Sequence, residues 1–180
     1  MILTDPNDSN AWKSGSFGKN CTYRVQPSVV RPKEGNPTLL AFYRDRKAEY
    51  IYTSTSKDDG KSWDGCYRTS LPNNNAGIEA FAMRSGSLVM VYNPMRSGRN
   101  HLVLSLSTDA GKTWKYTRTL EQAKHKNEFS YPTLREDVIK DGVIHVSYTY
   151  KRDTIKYSRV TEDWIRKGDK IQEEIRMQQV

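Results

Sequence analysis

Ser56-Lys57-Asp58-Asp59-Gly60-Lys61-Ser62-Trp63 reads as a tight turn between two strands, and its pattern returns at Ser107-Thr108-Asp109-Ala110-Gly111-Lys112-Thr113-Trp114. Both stretches fit S-x-D-x-G-x-x-W. Ser and Asp side chains hydrogen-bond backbone N–H groups inside a turn, and Gly accepts the positive φ that a turn demands. Trp then supplies a large apolar face to lie under the hairpin. Each copy follows a β-rich run, Tyr50-Ile51-Tyr52-Thr53 or Leu102-Val103-Leu104. On these residues Ser56, Asp58, Gly60 and Trp63, with Ser107, Asp109, Gly111 and Trp114, are structural turn residues.

The two turns sit on a longer ruler. All four tryptophans, Trp12, Trp63, Trp114 and Trp164, are spaced by 51, 51 and 50 residues. A period of that size marks one supersecondary unit per repeat. The outer copies are worn, as terminal repeats often are. Asp5, Asn7 and Ser9 hold the turn positions before Trp12, and the Gly is missing before Trp164. Two unrelated hairpin turns that happen to look alike would explain the motif, but not the period.

One repeat reads as four strands. Between Trp12 and Trp63 they fall near 25–31, 38–43 and 49–55, with a fourth after the Trp. The next repeat gives 77–83, 87–92, 101–107 and 114–119. The third gives 129–135, 143–149, 154–160 and a weak strand after Trp164. Turn signals at Glu34-Gly35-Asn36-Pro37, Ser85-Gly86 and Asp141-Gly142 separate them. Four short antiparallel strands per repeat make the blade of a β-propeller, whereas an open β-sandwich leaves the Trp ruler unexplained. The expected fold is all-β, a partial β-propeller of about three and a half four-stranded antiparallel blades. Residues 1–19 would end a preceding blade, 20–69, 70–119 and 120–166 would each be a blade, and 167–180 a charged tail. In that tail Ile171 and Ile175 have helical spacing. A closed propeller takes roughly four to eight blades, so the expectation is an open ring. Its exposed faces would invite self-association or a second chain.

Composition narrows the function classes. The 180 residues carry a formal charge of +8 and a mean hydropathy of -0.82. A basic balance favours anionic partners. No basic run exceeds two residues, which argues against nucleic acid. No apolar stretch reaches about 18 residues, so no membrane span is expected. Residues 1–10 lack the apolar segment of a signal peptide. No compartment, metal or cofactor is indicated. Cys21 and Cys66 do not read as a disulfide scaffold, and their pairing is open. Asn7-Asp8-Ser9 and Asn20-Cys21-Thr22 match a glycosylation sequon that also arises by chance.

Alternating strand direction places the S-x-D-x-G-x-x-W turns at one end of the blades. The candidate ligand-facing loops lie at the other. They bring Arg24, Gln26, Arg44, Asp45 and Arg46 from the first repeat. The second contributes Asn73, Asn74, Asn75, Glu79, Asn93, Arg96 and Arg99. The third adds Glu128, Tyr131, Tyr148, Tyr150 and Arg152. Arg forks bind carboxylates through paired hydrogen bonds, so a rim of this kind suits an acidic sugar. Solvated arginines and strand-packing tyrosines are the plainer alternative.

The repeated turns resemble the Asp-boxes, or BNR repeats, of the sialidase (neuraminidase) superfamily. The likeness extends to Tyr92-Asn93-Pro94 with Arg99-Asn100-His101-Leu102, similar to a fifth blade of six-bladed sialidases. Ser130-Tyr131-Pro132-Thr133-Leu134 through Glu162-Asp163-Trp164-Ile165 resembles the sixth. Val25-Gln26-Pro27-Ser28-Val29-Val30 with Tyr43-Arg44 resembles the fourth. The resemblance implies an exo-glycosidase acting on a terminal acidic sugar, with Tyr131 as nucleophile and Arg44 and Arg99 gripping the carboxylate. A Tyr nucleophile is an exception among glycosidases, and its phenol needs a base to take its proton. Gln26 stands where that activating Glu would be. Glu128 is the candidate substitute base, and Glu79 a further one. Asp45, Glu79, Asn93 and Gln26 complete the expected substrate-binding set. The resemblance also implies that the general acid and a further Arg come from preceding blades, so that this chain alone is not a competent sialidase. A non-catalytic module binding glycan or protein is the alternative that Gln26 favours.

Overall fold

The computed structural model describes residues 2–3, 7, 12–13, 17–124 and 127–168. The worn turn residues Asp5 and Ser9 and the 169–180 tail, with Ile171 and Ile175, lie outside them. Strands β1 (Ile2–Leu3) and β2 (Trp12–Lys13) pair in a short ribbon. The first four-stranded sheet comprises β3 (Arg24–Val30), β4 (Leu39–Asp45), β5 (Tyr50–Ser56) and β6 (Tyr67–Pro72). The second comprises β7 (Glu79–Ala82), β8 (Leu88–Tyr92), β9 (His101–Ser107) and β10 (Tyr116–Gln122). The third holds β11 (Phe129–Glu136), β12 (Val143–Tyr150) and β13 (Thr154–Thr161). The pairings within each sheet are antiparallel and sequential, the meander of a propeller blade.

The period-two alternation of β8 explains how the blades stack. Leu88, Met90 and Tyr92 enter an apolar layer shared with Val30, Phe42, Ile51 and Leu71 of the first sheet. Val89 and Val91 enter a second layer with Leu134, Ile144, Val146 and Tyr148 of the third. A strand buried on both faces reads as an uninterrupted apolar run, as Leu88-Val89-Met90-Val91-Tyr92 does. Of the first strands of the sheets, β7 neighbours both β3 and β11. Ser28 Oγ donates to the Ala80 carbonyl at 3.2 Å and accepts from the Ala80 amide at 2.9 Å.

The repeated turns have the same internal wiring. Ser56 Oγ accepts from the Gly60 amide, and Asp58 accepts from the Ser62 amide, both at 2.8 Å. Ser107 accepts from Gly111 at 2.9 Å and Asp109 from Thr113 at 2.8 Å. Gly111 has φ +80°, and a β-carbon there would lie 3.0 Å from Phe42 Cζ of the first sheet. Trp114 is buried with its ring edge-on to Phe42 at 5.7 Å. Trp63 packs on Phe17 and donates its indole N–H to the Gly60 carbonyl at 3.2 Å.

The third repeat departs from expectation. A helix, α1 (Glu162–Arg166), stands where a weak fourth strand was expected, and it contains Trp164. Thr161 caps it, accepting from the Trp164 amide at 3.0 Å, with Glu162 and Asp163 in the first turn. Such a cap and acidic start favour a helix. Trp164 thus has different surroundings from Trp63 and Trp114: the Arg118 guanidinium lies 4.2 Å from its ring centroid. Cys21 and Cys66 form a disulfide, joining the segment before β3 to the entry of β6.

Candidate functional site

The site is built where the first strands bulge. Pairing between β3 and β4 slips between Val25 and Ser28, and that between β11 and β12 slips between Ser130 and Thr133. A bulge re-aims the side chain it carries. Gln26 and Tyr131 are those residues, each before a Pro, with φ 51° and 48°. Positive φ in non-glycine residues is uncommon and clusters at functional sites. Gly77 lies at the entry of β7, between the two strands in sequence. A β-carbon on it would lie 3.2 Å from Tyr131 Cδ1 and 3.5 Å from Gln26 Nε2. The sequence reading did not single out Gly77. Its signal is periodicity: it follows Gln26 by the same 51 residues that separate Trp12 from Trp63.

Two arginines meet the Tyr131 phenol. The Arg99 guanidinium carbon lies 5.1 Å from its ring centroid. Hydrogen bonding and Coulombic attraction from Arg99 hold the phenol below its ordinary pKa; partial burial opposes this, and Arg44 lowers it further. Arg44 reaches in from β4, with Nη1 donating to the Asn75 carbonyl at 2.9 Å. Its Nε is buried without a hydrogen-bond partner among the described residues. Tyr131 remains about half exposed, at 49%, so the group opens to solvent.

Glu128 stands behind Arg99. It accepts from Arg99 Nη1 at 2.9 Å, Ser130 Oγ at 2.6 Å and Arg152 Nε at 2.5 Å. Burial pushes its carboxyl up, but the hydrogen bonds from Ser130, Arg152 and Arg99 outweigh that and keep it below the usual carboxylate range. A carboxylate so engaged is a weak proton acceptor. Arg99 is itself held protonated: burial disfavours its charge, but hydrogen bonds to Tyr131 and Glu128 raise its pKa.

The other expected residues do not join this group. Asp45 is fully buried, bonded to Arg24 at 2.5 Å and to the amides of Lys47 and Glu49 at 3.0 and 3.3 Å. It anchors the turn after β4. Asn93 is also fully buried, donating to the carbonyls of His101 at 2.6 Å and Phe129 at 2.8 Å. It ties the second sheet to the third. Glu79 pairs with Arg135 at 2.7 Å. Among the described residues no group of three or more His, Cys, Asp or Glu could hold a metal ion. No helix among them is long and apolar enough to cross a membrane.

A family model described as a BNR repeat-like domain matches residues 1–146. The search of curated proteins found no match. Among solved structures, the fold is similar to a Hadza microbial sialidase, Hz136, at 20% identity and TM-score 0.68, covering 79% of this chain and 28% of that one. It is similar to the intramolecular trans-sialidase of Ruminococcus gnavus, solved with oseltamivir carboxylate, at 17% identity and TM-score 0.70, covering 89% and 37%. It also resembles the α-L-arabinanase of Penicillium chrysogenum, solved with arabinobiose, at 20% identity and TM-score 0.58, covering 77% and 46%. The chain therefore spans less than half the length of each of these structures.

Proposed function

The chain belongs to the BNR repeat-like domain family, and from that premise we propose that it forms part of a sialidase-like glycoside hydrolase acting on a terminal acidic sugar. The observation that carries this reading is the Arg99 guanidinium 5.1 Å from the Tyr131 ring centroid, with Arg44 also acting on the phenol. Two guanidinium groups beside one phenol suit a sugar carboxylate, which each can bind through paired N–H donors. The same charges stabilise the phenolate, so they ready Tyr131 for attack on the anomeric carbon.

The base is the weak part of the machinery. Gln26 occupies the neighbouring position and has no proton-accepting carboxylate, while Glu128 is engaged by Arg99, Arg152 and Ser130. This supports a second reading, in which the described blades bind an acidic glycan without turnover. In both readings self-association, or a second chain that completes the ring, is part of the proposal.

The test is calorimetric titration of the chain with N-acetylneuraminic acid and with galactose. The acidic sugar is expected to bind and the neutral one not. Arg44→Ala and Arg99→Ala are each expected to weaken binding at least about tenfold, a loss of about 1.4 kcal/mol. Equal affinity for both sugars, or binding unmoved by either substitution, sinks the carboxylate clamp. Turnover of a sialoside that survives Tyr131→Phe removes Tyr131 as nucleophile.

A further inference from the structure

A cleft of about 750 Å³ opens beside Arg99, and Tyr131 is not part of its lining. Arg99 and Glu128 line it together with Lys151 and Arg152 from the tip of the β12–β13 hairpin. Lys151, Arg152 and Asp153 connect the two strands, and the Asp153 amide donates to the Tyr150 carbonyl at 3.1 Å, closing a turn centred on Lys151 and Arg152. Its central residues have φ 59° and 64°. Two successive positive φ values define a type I′ turn, which favours Asn-Gly and disfavours long side chains. Lys-Arg here carries backbone strain that Asn-Gly would not. Strain of this kind persists only where the surrounding structure holds it in place.

The tip is also held in place. The Lys151 amide donates to the Glu128 carbonyl at 2.7 Å, and the Phe129 amide to the Arg99 carbonyl at 2.7 Å. Arg99, Glu128 and Lys151 are thus tied by backbone hydrogen bonds across two sheets. Arg152 uses Nε on Glu128 and leaves its two terminal nitrogens without a partner among the described residues. Lys151 packs 5.0 Å from the Tyr150 ring centroid and pairs with no carboxylate among the described residues. The cleft therefore presents three cations against one carboxylate, with the amides of Asn74, Asn100 and Asn127 around them.

We propose that this cleft is a second anion-recognising subsite, which takes an acidic neighbouring residue of the glycan whose terminal sugar meets Arg44, Arg99 and Tyr131. The ligand is then an acidic oligosaccharide rather than an isolated acidic sugar. The inference rests on the terminal-sugar reading above and deepens it, with Arg99 as the shared wall.

The test compares N-acetylneuraminic acid with its disaccharide, disialic acid, by calorimetry on the full chain. Disialic acid is expected to bind at least about tenfold tighter. A Lys151→Asn/Arg152→Gly double variant installs residues that favour this turn, which offsets the lost Arg152–Glu128 contact, and its melting temperature is checked beside the wild type. It is expected to lose the preference for the disaccharide and keep its affinity for the monosaccharide. If the monosaccharide binds in an Arg44-dependent way but the disaccharide gains nothing, or its gain survives the double variant, the cleft proposal falls and the first reading stands. If neither saccharide binds, both fall.

Discussion

Gln26 and Tyr131, which are 105 residues apart in sequence, meet over Gly77: a single β-carbon there would touch the amide of one and the ring of the other. The three residues come from the starts of three consecutive sheets, so the contact exists only when the blades stack. Gly77 has no positive φ. Its lack of a side chain therefore matters for space, not for backbone conformation. Gly77→Ala is expected to leave the melting temperature close to that of the wild type and to displace Tyr131, lowering affinity for an acidic sugar about tenfold. Thermal melting and titration on the same sample check this; unchanged affinity would show that Tyr131 does not set the shape of the site.

The phenol itself can be followed by ultraviolet absorbance. Arg99 and Arg44 lower the Tyr131 pKa, whereas burial pushes Tyr43 and Tyr92 up to about 12. Tyr131 should ionise ahead of those buried rings as pH rises. Tyr131→Phe is expected to delete an early component of the alkaline titration, and Arg99→Gln to move it to higher pH. A curve that is the same in wild type and Arg99→Gln contradicts the coupling.

The repeated turns make acid stability a direct readout. Hydrogen bonds from the Ser62 hydroxyl and amide, then from Ser56, lower Asp58 from 3.8 to about 2. Those from the Thr113 hydroxyl and amide, against slight burial and helped by Ser107, lower Asp109 from 3.8 to about 2. A depressed carboxylate stabilises the fold above its unfolded pKa and loses that contribution as pH falls through its folded value. Stability is therefore expected to drop between about pH 4 and pH 2. Asp58→Asn with Asp109→Asn should lower the plateau above pH 4 and flatten the slope below it. Chemical denaturation at a series of pH values measures both, and a slope unchanged by the double substitution contradicts the assignment.

How much of this was legible in the sequence depended on which forces act locally. The turns were legible because Ser56, Asp58 and Gly60 hydrogen-bond within five residues of one another. The blades were legible because β-rich runs such as Leu88-Val89-Met90-Val91-Tyr92 lie between local turn signals and recur with the Trp spacing. Helix α1 was obscured by the Trp ruler, although Thr161, Glu162 and Asp163 carry an ordinary helix start. The Cys21–Cys66 pairing depends on how the segment before β3 folds back, which spacing does not reveal. In the site, Arg44, Arg99 and Tyr131 followed from a family resemblance. Asp45 and Asn93 are polar residues of the kind expected at a rim, yet they serve buried backbone groups. That distinction is tertiary and leaves no pattern along the chain.

The outer face of the third sheet carries the last expectation. Ile144, Val146 and Tyr148 of β12 face the second sheet, so alternation turns His145, Ser147 and Thr149 the other way. Register sets Arg135 and Arg159 on either side of His145. Two copies meeting face to face would oppose these arginines, which disfavours that arrangement. At the edge, β13 pairs with no strand beyond β12 among the described residues, and its exposed Ile155 and Tyr157, in register with Thr149 and Ser147, border that same outer face. An exposed strand edge with apolar side chains templates pairing with another chain. Self-association is therefore expected through β13, already present at low salt, and Ile155→Lys should weaken it. Light scattering over a concentration series decides. A monomer at every concentration excludes edge pairing, whereas association that appears only when salt screens the arginines points to the face instead.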